Sequence, residues 1–232
     1  MREACLEQAA LSRADLRGTD LRRAVLRKAD LSDADLTRAD CSCAILNAAN
    51  LSGATLSRAK FFKTNLLAAN LTKATLYKTL LFEAQMVGAD LVGATLIQAI
   101  LTQANLSWAN LTRANLSGAM LDQTNLRRAN FSRANLKKAS LKGADLRSAD
   151  LYKVDLTEAD LSDANLFDTN LHQAKLQGCI MPDGTIHPLD SRLGTFLRGY
   201  LRSLGGCPIC PLNPKLGDFR TYAVSKSPSW EI

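Results

Sequence analysis

Every fifth residue from Leu6 to Leu176 is apolar without a slip of register: 35 positions, of which 31 are Leu and the others Cys41, Phe61, Met86 and Phe131. Two residues before each stands a second small side chain, Ala in 29 cases and otherwise Thr19, Thr64, Thr79, Thr124, Thr169 or Val154. The unit reads A-(D/N)-L-x-x. A period of five excludes both common elements. On an α-helix each repeat rotates by about 140° and smears Leu around the axis; on a strand the odd period flips Leu between faces. A coil with straight sides five residues long satisfies the pattern. Each side points its Leu and Ala inward and its other three residues outward, with parallel neighbours about 4.8 Å apart along the axis.

The number of sides per turn is tested by sorting outward residues into columns. At a 20-residue interval the residue before Leu becomes uniform in one column: Asp30, Asn50, Asn70, Asp90, Asn110, Asn130, Asp150, Asn170. The unusual apolar outward residues also align, Val25 with Ile45, Phe62 with Phe82, Leu67 with Val87, Tyr77 with Ile97, and Leu80 with Ile100 and Met120. Four sides are favoured, although a 15-residue interval aligns some pairs too. The 35 repeats then make nearly nine coils, a rod of roughly 40 Å at the spacing between parallel strands. The composition agrees: 47% hydrophobic but only 6% aromatic, so the interior is small and aliphatic.

Units such as Ala34-Asp35-Leu36, Ala104-Asn105-Leu106 and Ala144-Asp145-Leu146 resemble the pentapeptide-repeat family. The resemblance spans residues 4–178 and implies an all-β fold, a right-handed quadrilateral parallel β-helix. The ending Ile180-Met181-Pro182-Asp183-Gly184-Thr185-Ile186-His187-Pro188 is similar to that of many cyanobacterial members. Three segments are expected: the β-helix over 1–180, a terminal turn and capping helix over 181–206, and an irregular tail over 207–232. The helix follows from Leu189, Leu193, Phe196, Leu197, Tyr200, Leu201 and Leu204 at helical spacing, with Asp190 or Ser191 as N-cap and Gly205-Gly206 as the stop. The tail holds Pro208, Pro211, Pro214 and Pro228 and no periodicity. At the other end the repeats begin within the first few residues, so an uncapped first coil is expected to be a place of self-association.

Nothing in the sequence points to catalysis. A rod filled by its own Leu and Ala leaves no concave site for convergent acids or bases, and the outward Asp residues alternate freely with Asn and Thr, which suits hydrogen bonding near a turn. No enzyme activity, cofactor or metal is expected. His172 and His187 show no partner in the sequence. Cys207-Pro208-Ile209-Cys210 is half of a zinc motif with no second pair near it, and the six cysteines, at 5, 41, 43, 179, 207 and 210, are read as reduced thiols. The start lacks the apolar core of a signal peptide and no stretch approaches a membrane span, so a soluble, cytoplasmic protein is expected.

Repeat scaffolds place function where they depart from consensus. Phe62, Leu80, Phe82, Ile100 and Met120 are expected to form a patch on one side of the middle coils. Tyr77, Ile97, Leu67, Val87 and Val92 extend it to a girdle rimmed by Lys60 and Lys63. The girdle is read as a site for a protein partner, or for a second copy of the chain; the bland alternative is stacking that only stabilises the rod. A second departure is charge: Thr112 to Lys153 holds nine basic residues against Asp122, Asp145 and Asp150, read as dispersed over all sides and solvated. The best-studied members of the family resemble DNA and bind type II topoisomerases. A mimic should be acidic, whereas residues 1–178 carry 23 Lys and Arg against 18 Asp and Glu. Direct nucleic-acid binding is disfavoured for want of exposed aromatics among the cations. The leading expectation is a non-catalytic interaction module with a regulatory role, since some cyanobacterial members regulate cell differentiation through protein contacts.

Overall fold

The computed structural model describes residues 1–187. The expected capping helix, the tail, Cys207 and Cys210 lie outside them. A first compact unit runs from Met1 to Pro188. Parallel bridges join each residue before a Leu to the residue 20 positions on, from Cys5↔Val25 to Asp160↔Ile180. The 20-residue interval therefore holds throughout, and residues 1–180 make nine four-sided coils. The sides are numbered here by their bridging residues: the first holds Cys5, Val25 and Ile45, the second Ala10, Asp30 and Asn50, the third Asp15, Asp35 and Thr55, the fourth Asp20, Asp40 and Lys60.

One unit shows how the backbone is satisfied. Leu46 N–H donates to Asn65 O of the next coil at 2.7 Å, Ala48 N–H to Leu67 O at 2.8 Å, Asn50 N–H back to Ala29 O at 2.9 Å, and Ala49 N–H closes the turn on Leu46 O at 3.0 Å. Four of the five donors are thus used by backbone. The fifth, on the residue after Leu, goes to the preceding Asx where the repeat has one: Ser52 N–H donates to Asn50 Oδ1 at 3.2 Å and Thr72 N–H to Asn70 Oδ1 at 3.0 Å. This explains why the repeat asks for Asp or Asn and is indifferent to which.

The turn hydrogen bond with positive φ at its third residue alone is a type II arrangement. It recurs at every fifth residue from Glu3 to Gly178, with φ between 52° and 67°, and 29 of these residues are not glycine against seven that are. A left-handed residue with a Cβ costs about 1 kcal/mol. The inter-coil bond made by the same residue's N–H, as at Ala48, fixes that conformation whatever side chain it carries.

Every Leu-type centre from Leu21 to Leu161 is at most 1% exposed. Where Thr replaces the inward Ala, its hydroxyl is satisfied: Thr64 Oγ1 donates to Cys41 O at 2.8 Å and Thr79 Oγ1 to Leu56 O at 2.7 Å. At the ends the core opens, with Leu6, Leu11, Leu166 and Leu171 half-buried. After the ninth coil the chain reverses. Met181 N–H donates to Thr185 O at 2.7 Å, and Ile186 pairs antiparallel with Ile180. This hairpin covers the fourth side of the last coil and buries Leu176, Cys179, Met181 and His187, so part of the closure expected of a helix is made by the terminal turn itself.

Candidate interaction surfaces

On the fourth side the bridging column runs Lys60, Leu80, Ile100, Met120, Ser140. Leu80, Ile100 and Met120 have no oxygen to offer, so Phe82, Thr102 and Asp122 lose the Asx partner of their N–H groups over three consecutive coils. A hydrogen bond of this kind contributes about 1 kcal/mol. In its place the apolar side chains stack from coil to coil. Tyr77 and Ile97 occupy the corner before this side; Phe62 and Phe82 occupy the corner after it. All seven therefore fall on one face, half-buried except Met120, which is 44% exposed.

The wider girdle is not continuous. Leu67 and Val87 stand at the corner between the first and second sides, separated from Phe62 and Phe82 by the polar column Asn65, Gln85 and Asn105; Val92 lies a further corner away. The periodicity aligned each pair along the rod but did not say which pairs adjoin around it. The two edges of the apolar face differ in charge. At the Phe62 edge Lys63 Nζ pairs with Glu83 at 3.3 Å, and Lys60 Nζ lies 3.9 Å from Asp40. At the Tyr77 edge Arg38, Arg58 and Lys78 follow one another on successive coils; an open groove there is lined by Arg17, Arg38, Arg58 and Tyr77, and Lys78 Nζ stands 5.3 Å from the Tyr77 ring.

The basic stretch is sorted as well. Lys137, Lys138 and Lys142, on the corners flanking the fourth side, pair with Asp155, Glu158 and Asp160 of the next coil at 3.4, 3.5 and 3.2 Å. Arg113, Arg133 and Lys153 stack on the corner after the second side, and Arg127 and Arg128 on the corner before it. Among the described residues no carboxylate comes within 4.0 Å of these five, although Asp145 feels the charge of Arg127. Cations one coil apart repel by roughly 1 kcal/mol per neighbouring pair in water, less in salt. Trp108, 59% exposed, lies on the same corner as Arg128, whose guanidinium is 4.5 Å from its ring centroid. Tyr152 stacks on His172 with centroids 5.8 Å apart, and Lys153 Nζ is 5.0 Å from the Tyr152 ring. The expectation of a dispersed basic surface without aromatics is therefore replaced by one face that has both. Trp108 stands at the outward turn position of its repeat, and that position was the signal available in the sequence.

The carboxylates act on the scaffold. Asp15 is held down to about 2 by the hydrogen bonds of Arg17, whose Nη2 donates to it at 2.6 Å. Asp145 is lowered chiefly by Arg147. Burial alone would raise Asp155 and Asp160, but hydrogen bonds from Thr157 and Ser162 and the charges of Lys137 and Lys142 bring both below the usual range. Burial pushes the Cys41 thiol up strongly and that of Cys179 to about 12, so both stay protonated. Among the described residues no three His, Cys, Asp or Glu side chains group as metal ligands, and no helix is long and apolar enough to cross a membrane.

The profile of pentapeptide repeats matches residues 4–42, 39–76, 89–128, 114–151, 124–163 and 144–181, well over half of the chain. The chain belongs to the pentapeptide-repeat family. Among solved structures it is similar to HetL, a pentapeptide-repeat protein involved in heterocyst differentiation regulation from the cyanobacterium Nostoc sp. strain PCC 7120. The identity is 37%, over 80% of this chain and 92% of HetL, with a TM-score of 0.69. It is also similar to a trypsin-treated variant of QnrB1, a plasmid-mediated fluoroquinolone resistance protein, at 22% identity over 86% of this chain and 94% of that one, TM-score 0.53. That second likeness speaks to fold alone. No curated protein sequence matches. Within this pentapeptide-repeat chain the fourth-side face and the second-side cations are the two departures from the repeat that carry surface chemistry.

Proposed function

We propose that this pentapeptide-repeat protein is a non-catalytic, cytoplasmic interaction module that binds a protein partner through the fourth-side face of Phe62, Tyr77, Leu80, Phe82, Ile97, Ile100 and Met120. The observation that carries the reading is the apolar column Leu80, Ile100 and Met120 with Tyr77, Ile97, Phe62 and Phe82 at both of its corners. Columns on other sides also lack the Asx, Val25 and Ile45 on the first and Thr55, Thr75 and Thr95 on the third, but only on the fourth is such a column flanked by large apolar residues at both corners. The similarity to HetL makes a regulatory role the natural setting. Right-handed winding goes with the reading, because parallel strands joined across one sheet are almost always connected with that hand. Self-association, through the same face or through the first coil, is the homomeric form of the proposal. A DNA mimic is a poorer fit, since the exposed edge of the face presents Arg38, Arg58 and Lys78 rather than acids.

The test is the triple substitution Leu80→Asn, Ile100→Asn, Met120→Asn, which restores the caps while removing the anchors. Self-association by sedimentation equilibrium and co-purification from native cytoplasm should be lost, with the melting temperature within a few degrees of the parent. Association that survives, or a rod that melts tens of degrees lower, would leave the face purely structural.

A further inference from the structure

We infer that the second side of the later coils is a binding surface for single-stranded nucleic acid. The surface is the column Asn110, Asn130 and Asp150 with its two bounding corners. One corner carries Arg127, Arg128 and the exposed Trp108; the other carries Arg113, Arg133 and Lys153, then Tyr152 stacked on His172. The same stretch of chain neutralises Lys137, Lys138 and Lys142 with acids one coil on. It brings no described carboxylate to ion-pair distance of the five cations around the second side, Asp145 acting on Arg127 only from farther off. Of the acids on or beside this face, Asp145 is paired with Arg147, while Asp150, which accepts from Ser132 Oγ at 2.6 Å and Asn170 Nδ2 at 2.7 Å, and Asp168, which accepts from Ser148 Oγ at 3.0 Å, keep their charges and leave the cations in excess.

Charge by itself would suit any polyanion. The aromatic groups decide between classes. Trp108 and Tyr152 are each set beside a cation, and they stand two coils apart across the face, about 10 Å along the axis. A ligand that uses both features must offer negative charge and a flat π-face in every repeating unit, which a nucleotide chain does and an acidic polypeptide does not. The carboxamide N–H groups of Asn110 and Asn130 add donors between the two rows, their oxygens being taken by Thr112 and Ser132. In a duplex the base faces are occupied by their own stacking, so a single strand is the form that fits.

The test uses the full chain and a fluorescein-labelled 20-nucleotide oligothymidylate or oligouridylate, followed by anisotropy across a salt series. The expected result is binding whose logarithmic salt slope is about −3, since each single-strand phosphate contacted contributes roughly 0.7 and four or five cations are available. Arg113→Gln with Arg133→Gln and Lys153→Gln should weaken it at least tenfold, and Trp108→Ala by about fivefold or more. Lys137→Gln with Lys138→Gln and Lys142→Gln, an equal change in net charge, should leave most of the affinity. All of these residues are exposed, and unchanged melting is checked for each variant. Three results would overturn the inference: no binding at low salt, equal losses from the two triple variants, or binding indifferent to Trp108→Ala. Poly-glutamate or a duplex of equal length binding as tightly as the single strand would likewise refute it, the former in favour of an acidic protein partner.

Discussion

The second and fourth sides of this rod share one core, one turn and one pattern of backbone hydrogen bonds, yet they finish their surfaces in opposite ways. On the second side the Asx column is unbroken from Asp30 to Asn170 and ladders along the axis: Asn50 Nδ2 donates to Asp30 Oδ1 at 3.0 Å and Asn70 Nδ2 to Asn50 Oδ1 at 3.2 Å, while each Asx also accepts from its own turn. On the fourth side Leu80, Ile100 and Met120 forgo that cap with no change in the bridges. The caps are therefore a reserve of stability that individual coils can give up, as the first side does at Val25 and Ile45 and the third at Thr55, Thr75 and Thr95, and on the fourth side the surrendered caps lie within an apolar face.

The comparison breaks first if the two sides do not share a core. Leu101→Arg on the fourth side and Leu111→Arg on the second, both 0% exposed, should each cost several kcal/mol and unfold or split the rod, as judged by far-UV circular dichroism on heating. Thr102→Arg and Thr112→Arg, one residue on, should be mild. Unequal losses from the two Leu variants would mean that one side is less closely packed than the other.

A smaller effect tests the caps themselves. Asn110→Leu removes the acceptor for Thr112 N–H and Oγ1, at 3.2 and 2.7 Å, and should lower stability by about 1–2 kcal/mol. Ile100→Asn supplies an acceptor for Thr102 N–H where none stood, offsetting the lost stacking, and should change stability by less than about 1 kcal/mol. Urea titrations of both variants sharpen the contrast. Equal destabilisation would mean that the apolar ladder contributes as much to folding as the Asx ladder.

The turns should not distinguish the sides at all. Gly88 leads into the second side at φ 64° and Gly118 into the fourth at φ 64°; an added Cβ meets nothing within 4 Å at the first and only Gln98 Cγ at 3.6 Å at the second. Gly88→Ala and Gly118→Ala should each cost about 1 kcal/mol, a backbone effect without a clash.

The smallest expected effect is that of acid. Asp30 on the second side is held below its ordinary 3.8 by the Ser32 hydrogen bonds, and Asp160 on the fourth is held down despite its partial burial. A carboxylate depressed in the folded state stabilises above its unfolded pKa and loses that contribution as pH falls through the folded value. The melting temperature should thus be flat from pH 7 to 5 and decline toward pH 2. Asp30→Asn keeps the acceptor and should flatten part of that decline; a melting temperature that rose on acidification would reverse the sign of the argument.

Much of this architecture was legible in the sequence because the core has one rule and keeps it. The inward residues, the 20-residue coil and the turn role of Asx all follow from side-chain size and spacing. The turn type did not, because residues such as Arg113, Gln98 and Trp108 take positive φ without any glycine signal; the backbone network imposes it. The seven apolar site residues were legible as columns, and the structure brings them to one face, but the extension to Leu67, Val87 and Val92 failed because adjacency around the rod depends on the polar columns between. The sorting of paired and unpaired cations was hidden for a related reason: a partner lies 18 or 20 residues away, as for Lys137 with Asp155 and Lys138 with Glu158, and only the closed coil makes them neighbours.

The rod thus carries two reading frames, five residues for its interior and twenty for its surface. Removing one repeat between Leu81 and Leu101 would leave every Leu pointing inward, so the core would register almost nothing. Every later column would move by a quarter turn, carrying Ile100 and Met120 away from Leu80 and setting Asn105 above it. Loss or gain of a whole coil keeps all faces aligned. Lengthening by twenties preserves what such a protein binds, and slipping by five rewrites it without unfolding anything.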